Sequence, residues 1–336
     1  NLVTALRNTA SGWGDRIEYL LRHAFLALLK RPGSTLMDAA RLLRKEDTNN
    51  KHLRDEVLPL LENDLGKNFW QHDLRLYHYD ATSVAQHKLG KLLLAGPIAL
   101  MLGQPESRFT IHQIMEENLV LLANLSTVGA ETRQVLGRFL LSLIYLNALA
   151  RSNMPASQRK AFQVYCDEAH LFLGDTIDDF LVAMRKYNVG LNLAHQHMGQ
   201  FKSLKSEALT EVGSSIIFRV DSKDAEYLCR RLMGKVQPKD LIQLEDYHAV
   251  VRTGSRVYYI RTHEINSAAG MGCREQIITE SRRKYCVPAN TLRQNTETTM
   301  GNWGQGISPH PTNPEEFIYD EFEERSTTSK KSETTA

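Results

Sequence analysis

Two adjacent carboxylates follow an apolar run near the middle of the sequence: Asp167 and Glu168 come directly after FQVYC at positions 162–166. A buried strand that ends in two acids is typical of the Walker B motif of nucleotide hydrolases. From the strand end, Asp167 could hold Mg²⁺ through water beside a bound triphosphate. Glu168 could act as general base and polarise the attacking water. The alternative is an ordinary strand leading into a helix, where acidic first-turn residues suit the helix dipole.

Three other polar residues fall where they could serve the same site. Gln196 follows the next predicted strand, 189–194, and could sense the γ-phosphate or hold the water. Arg185, in the helix before that strand, and Arg219, at the end of a predicted strand 214–220, are candidate arginine fingers. Taken singly, Arg185 could be a solvated helix residue and Arg219 a partner in an ion pair at a sheet edge. Their agreement with one site favours nucleotide hydrolysis.

The loop that usually cradles the phosphates is missing from the sequence. No GxxxxGK[ST] motif occurs, since the Gly-Lys pairs at 66, 90 and 234 lack the earlier glycine and the following Ser or Thr. We therefore expect this chain alone to be inactive and, because it does not begin with Met, we expect the loop to lie upstream. The letters DEAH at 167–170 also occur in DEAH-box helicases. The other motifs of those helicases are absent, so Ala169 and His170 are interpreted as incidental.

The sequence offers little evidence for a disulfide, metal or membrane-spanning function. The four cysteines are far apart, with no CxxC pair, which favours a reducing compartment. His195 and His197 lie near a strand end, but no HExxH motif or Cys/His cluster accompanies them, which argues against a metal site. No run of eighteen apolar residues occurs, so we expect no transmembrane segment. Seven bases against three acids between Arg252 and Lys284 could touch a phosphate backbone, or could be a solvated surface.

The elements that position these residues follow from the apolar pattern. With 42% hydrophobic and 24% charged residues, the chain has ample material for a buried core. Apolar residues repeat at helical spacing from 13 to about 104, which predicts an all-helical unit. From 118 onward, short apolar runs alternate with helical stretches, which predicts βαβ units and a mostly parallel sheet. The predicted strands are 118–125, 162–166, 189–194 and 214–220, followed by a hairpin of 248–252 and 256–261.

Three regions result: an all-helical domain (1–112), an α/β core (113–286) and a tail (287–336). The tail is predicted to be disordered from 290. Its six acids between 313 and 324, with no base among them, could form a short binding motif or only a solvated acidic surface.

The order of these motifs resembles the type IV secretion coupling ATPases and, more broadly, the HerA/FtsK superfamily of hexameric DNA pumps. The resemblance covers roughly 13–284. It is carried by WGDRIEYLLRHAFLALLKR (13–31), NLVLLANLS (118–126), FQVYCDEAHLF (162–172), RKYNVGLNLAHQHMGQ (185–200) and GSSIIFRVDSKDAEYL (213–228).

The resemblance implies a RecA-like P-loop core of three layers, with the helical domain inserted between its Walker A and Walker B halves. Asp167 and Glu168 match the Walker B acids and Gln196 the motif-III glutamine. Arg185 matches the finger given to a neighbouring subunit, and Arg219 an arginine that some members use in that role.

The implied activity is ATP-driven movement of DNA through a homo-oligomeric ring, a hexamer, with ATP and Mg²⁺ as cofactors. The implied protein partners are relaxase-type proteins or a secretion apparatus. The implied location is the cytoplasm, with attachment to the inner face of the membrane through an amino-terminal part outside this sequence as an option. Two alternatives stay open: a non-catalytic interaction module from a split or decayed ATPase, and a protein-translocating or pilus-assembly ATPase.

Overall fold

The computed structural model describes residues 2–7, 13–44, 48–93, 96–173, 184–201, 212–264 and 272–292. Its helices before the first strand are α1 (Leu2–Arg7), α2 (Asp15–Leu28), α3 (Leu36–Leu42), α4 (Thr48–Val57), α5 (Asp64–Asn68), α6 (Leu74–Leu76), α7 (Tyr79–Leu93), α8 (Gly96–Leu102), α9 (Ile111–Glu116) and α10 (Ala130–Ala150). A π-helical turn, Phe69–Asp73, separates α5 from α6.

The described residues between 13 and 104 form helices joined by turns and short coil, with no strand among them, as the apolar spacing predicts. Helix α2 turns one face inward, with Leu20, Leu21 and Ala24 fully buried. Thr35 is the N-cap of helix α3, and its backbone N–H donates to Asp38 Oδ2 at 2.9 Å, so a donor at the helix start is satisfied. These helices share one apolar core.

Helix α10 belongs to two cores. Val135 and Phe139, in its first half, pack into the core of the helical region. Ile144 and Ala148, in its second half, pack beneath the first two strands. By length and composition the stretch Thr132–Asn153 could cross a membrane, and 39% of it is buried inside the protein. The contacts described above join it to both apolar cores.

The strands form two sheets. β1 (Phe162–Cys166) and β2 (Val189–Leu193) pair in parallel, with Phe162 opposite Val189 and Cys166 opposite Leu193. β3 (Ser214–Ile217), β4 (His248–Thr253) and β5 (Arg256–Arg261) form an antiparallel sheet in that order. Gly254, at φ +57°, forms the tight turn between β4 and β5. The remaining helices are α11 (Ser222–Arg231), α12 (Pro238–Ile242) and α13 (Arg274–Tyr285).

Two strand predictions are wrong for the residues that the structure describes. The sheet is not mostly parallel, because β3 pairs with the β4–β5 hairpin instead of with β2. Segment 118–125 joins no sheet, and Asn118 at its start has a positive φ. Leu119 and Leu121 pack on the core beneath β1 and β2, while Val120 and Leu122 are 84% and 77% exposed. Burial thus alternates as in a strand, but no described strand pairs with the segment.

Several predicted elements lie outside the described residues. These are the helix at 203–211, most of the helix at 178–187, and the tail from 293 onward with its acidic cluster. Of the second helix, the structure describes its last turn, Arg185–Tyr187.

Candidate active site

Backbone hydrogen bonds continue between the two segments that follow β1 and β2, past the carboxyl ends of the strands. Ala194 N–H donates to the carbonyl of Cys166 at 2.9 Å, and Ala169 N–H donates to the carbonyl of Ala194 at 2.9 Å. The turn that follows β1 is therefore fastened to the segment that follows β2. This edge is where ligands bind in open parallel α/β sheets.

Glu168 and Gln196 meet at this edge. The Nε2 amide of Gln196 donates to Glu168 Oε1 at 2.7 Å. Glu168 has φ 47° and ψ 45°, a left-handed conformation that is uncommon for a residue with a side chain. Its backbone N–H donates to Asp167 Oδ1 at 2.9 Å. The three polar residues predicted from two separate strand ends thus form one cluster.

The donors present suit Mg²⁺. Asp167 is exposed at the end of β1, and a carboxylate there leaves room for water and phosphate oxygens, which Mg²⁺ prefers to keep as ligands. Among the residues that the structure describes, no group of three or more His, Cys, Asp or Glu could hold a metal ion. A metal bound at Asp167 would therefore depend on the nucleotide for much of its coordination.

Arg185 lies at the other end of β2. It begins the 3₁₀ turn Arg185–Tyr187 that leads into the strand, and it is exposed. Five residues of strand separate this turn from the Gln196 edge, which is about 16 Å at the rise of a strand. The structure therefore does not bring Arg185 to the Glu168–Gln196 cluster of its own chain.

Arg219 lies two residues beyond β3 and forms an ion pair. Its Nη2 is 2.8 Å from Asp246 Oδ1, and both side chains are largely exposed. Its Nη1 also donates to the carbonyl of Leu244 at 3.4 Å. The ion pair considered as the alternative for Arg219 is therefore present.

A buried group beneath the cluster was missed by the sequence analysis. Phe201 is buried and meets the ring of His195 edge-on, with centroids 4.8 Å apart, and that of His170 at 6.3 Å. Burial lowers the pKa of His195, although Asp224 opposes the shift. Burial, with Asp167 nearby, raises the pKa of the Cys166 thiol to about 11. The packing of these two histidines could not be read from the sequence, because their depth depends on how the segments after β1 and β2 fold.

Arg151 was missed as an anchor of the same sheet. It is buried just after α10, and its Nε donates to Glu116 Oε1 at 2.9 Å. Its Nη1 donates to the carbonyls of Lys160 and Tyr187 at 2.9 and 3.0 Å. Those carbonyls lie just before β1 and β2, so one guanidinium holds the amino ends of both strands. An arginine at the end of an apolar helix was the available signal.

No protein-family model and no curated protein matches the chain. Solved structures do. The bacterial conjugative coupling protein TrwBdeltaN70 is 15% identical, with a TM-score of 0.54 over 78% of this chain and 67% of that one. The plasmid coupling protein TrwB in complex with ADP and Mg²⁺ is 16% identical over the same shares, with the same TM-score. VirB4 of Thermoanaerobacter pseudethanolicus is 13% identical over 79% and 69%, with a TM-score of 0.47.

The match to TrwB covers 78% of the chain. It supports the predicted RecA-like P-loop type of fold. The chain therefore has the fold of the conjugative coupling protein TrwB, and the resemblance to type IV secretion coupling proteins expected from its sequence is confirmed at the level of the fold.

Proposed function

We propose that this chain is part of an ATP-driven DNA translocase of the type IV secretion coupling class, working as a homo-oligomeric ring. The single observation that carries the proposal is the 2.7 Å hydrogen bond from Gln196 to Glu168 at the carboxyl ends of β1 and β2. TrwB structures with this fold contain ADP and Mg²⁺ or a non-hydrolysable GTP analogue.

In this proposal each residue of the cluster has one task. Asp167 holds Mg²⁺ through water, and the metal when bound neutralises charge on the phosphates. Glu168 takes a proton from the attacking water onto a carboxylate oxygen. Gln196 fixes the direction of that carboxylate through Oε1, and an amide carries no charge that would compete for the proton.

Arg185 acts on the neighbouring copy. It is exposed at the end of β2 far from its own Glu168, so its guanidinium is available to a phosphate held by the next subunit. Arg219 is the weaker candidate, because its ion pair with Asp246 would have to open first. The nucleotide site in this proposal lies between subunits, with the base from one copy and the arginine finger from the next.

The phosphate-binding loop comes from outside this sequence. No GxxxxGK[ST] motif is present, and β2 and β3 each have one strand partner among the described residues. A further strand that carries the loop would find an open edge on either. Reading the gene upstream tests this directly: a loop motif in frame favours the motor, and its absence from the whole gene favours a non-catalytic interaction module.

The proposed function is tested by ATP turnover in the full-length protein. Glu168→Gln should keep nucleotide binding, measured with a fluorescent ATP analogue, and lose at least about 100-fold in turnover, because an amide cannot take the proton. Glu280→Gln is the control, since Glu280 is exposed and paired with Arg283 on α13, away from the cluster. Equal turnover in the two variants would refute the site.

Double-stranded DNA should raise the turnover of the wild-type protein several-fold, and the effect should weaken with added salt because phosphate contacts release counterions. Turnover that is indifferent to DNA but raised by a secreted protein would favour protein translocation instead.

A further inference from the structure

His170 stands against the face of Glu168 that Gln196 leaves free. Its Nδ1 lies 3.3 Å from Glu168 Oε2, whereas Gln196 binds Oε1. The side chains of His170 and Glu168 are 18% and 35% exposed. In the sequence His170 is an incidental letter of the DEAH string, but in the structure it lies beside the carboxylate of Glu168.

The ring nitrogen is unusual because it is buried and makes no hydrogen bond with the residues that the structure describes. A buried polar atom without a partner costs about 1–3 kcal/mol, so such atoms are rare. At 3.3 Å from Nδ1, Glu168 Oε2 is within hydrogen-bond distance. A reorientation of the imidazole ring that aimed Nδ1–H at this oxygen would form a charge-assisted bond.

The backbone holds the two residues together. Leu171 N–H donates to the carbonyl of Glu168 at 2.9 Å, which closes a 3₁₀ turn around His170. Beneath this turn Ala169 and Phe201 are buried in one small apolar cluster. The ring of His170 therefore rests on a packed base and cannot move far from the carboxylate.

We propose that His170 is a positioning residue for Glu168. It donates its Nδ1–H to Oε2 while Gln196 donates to Oε1, so the carboxylate is held from both sides. Each oxygen keeps a second lone pair, so a water molecule can still be deprotonated. The inference rests on the proposed function for its effect on turnover, but the contact itself does not.

The contact is tested without nucleotide, by ¹⁵N NMR of the full chain labelled at histidine. The His170 signal is assigned by its loss in His170→Asn. We expect Nδ1 to carry the proton in the wild-type chain and the common Nε2–H tautomer to return in Glu168→Ala. The Nε2–H tautomer in both proteins would overturn the proposal.

The effect on turnover is tested in the full-length protein with three variants. Asn places an amide nitrogen close to Nδ1, Gln places one close to Nε2, and Leu places none. His170→Asn should keep kcat within about threefold, while His170→Gln and His170→Leu should lose at least about tenfold. The KM for ATP and the Kd of a fluorescent ATP analogue should stay within twofold. Equal losses in all three, or none in His170→Leu, would overturn the positioning role.

The two proposals can fail separately. A full-length protein that hydrolyses ATP through Glu168 but is indifferent to His170→Leu refutes the role of His170 alone. A protein without ATP turnover that still shows the Glu168-dependent tautomer refutes the proposed function and supports the contact.

Discussion

The backbone of Glu168 is strained at the position where the proposed chemistry needs a carboxylate. A residue with a Cβ in the left-handed region costs about 1–2 kcal/mol. Glu168 has φ 47°. Two hydrogen bonds oppose its relaxation: Ala169 N–H donates to the carbonyl of Ala194, and Leu171 N–H donates to the carbonyl of Glu168 itself. Such strain persists where surrounding contacts over-determine it, commonly at functional sites.

This strain makes a testable prediction. Glycine normally destabilises a folded chain relative to alanine, because it has more freedom to lose on folding. At position 168 the order should invert, and Glu168→Gly should be more stable than Glu168→Ala by about 1 kcal/mol. Urea unfolding of the two variants measures the difference. A lower midpoint for the glycine variant would show that position 168 is not left-handed.

The thiol of Cys166 reports on the burial of the strand end. Its pKa of about 11 keeps it protonated at pH 8, so alkylation with iodoacetamide should be slow. Cys273 and Cys286 are exposed and should react first. Mass spectrometry of timed samples measures the order, with urea-unfolded protein as the control in which the difference disappears. Modification of Cys166 as fast as Cys286 would mean that the end of β1 is open.

At the residue scale, the sequence predicted the cluster of Asp167, Glu168 and Gln196 but not the residues that pack against it. Asp167, Glu168 and Gln196 could be brought together because carboxyl ends of neighbouring parallel strands meet at one edge. The partners His170 and Phe201 could not, since their contacts depend on the turn after β1 and on the chain path beyond β2. Arg219 could be placed near a strand end from the sequence, but its ion-pair partner Asp246, 27 residues later, could not.

At the scale of elements, helix α10 packs on both the helical region and the first two strands. Gly137 in this helix determines how closely the segment after β1 can approach α10. A Cβ placed on Gly137 would lie 2.2 Å from the ring of Phe172, far inside contact distance. Phe172 packs on the cluster that contains Ala169 and Phe201. Gly137 therefore allows the segment that follows Glu168 to sit against α10.

Two glycine-to-alanine changes separate this effect from helix propensity. Gly90, in α7, has no atom within 4 Å of the added Cβ. Gly90→Ala should therefore stabilise the protein by up to about 1 kcal/mol. Gly137→Ala should destabilise it by about 1–3 kcal/mol, because the Phe172 ring must move. Urea unfolding measures both, and stabilisation by Gly137→Ala would contradict the close approach of Phe172.

The sequence predicted the type of most elements and missed some of their partners. The apolar pattern predicted the exact boundaries of β1, and the boundaries of α10 and of the β4–β5 hairpin to within one residue. These predictions were possible because each pattern lies within the element itself. It could not show that β3 pairs with β4, or that 118–125 pairs with no described strand. Strand pairing depends on which other strand lies beside the segment in the fold. An apolar run of eight residues does not indicate which strand that is.

For the whole molecule, the arrangement predicts that a single copy holds an incomplete site. Glu168 and Gln196 follow β1 and β2 at the carboxyl ends of these strands, and Arg185 precedes β2 at the opposite end. In the proposed ring, the base therefore faces one neighbour and the guanidinium faces a different one. Head-to-tail contacts of this kind form a ring when the rotation between successive subunits closes, and a filament when it does not. The ring is therefore expected to be required for turnover, not only for moving DNA.

The most direct test is to mix two inactive variants of the full-length protein and measure ATP turnover. Arg185→Ala should lose about a thousandfold in rate, as expected for a finger supplied in trans. Glu168→Gln should be inactive for lack of the base. In an equal mixture about one interface in four pairs an intact base with an intact finger. Turnover well above that of either variant alone is the predicted result. A mixture no more active than its parts, or an Arg185→Ala protein that turns over ATP normally while Arg219→Ala does not, would contradict it.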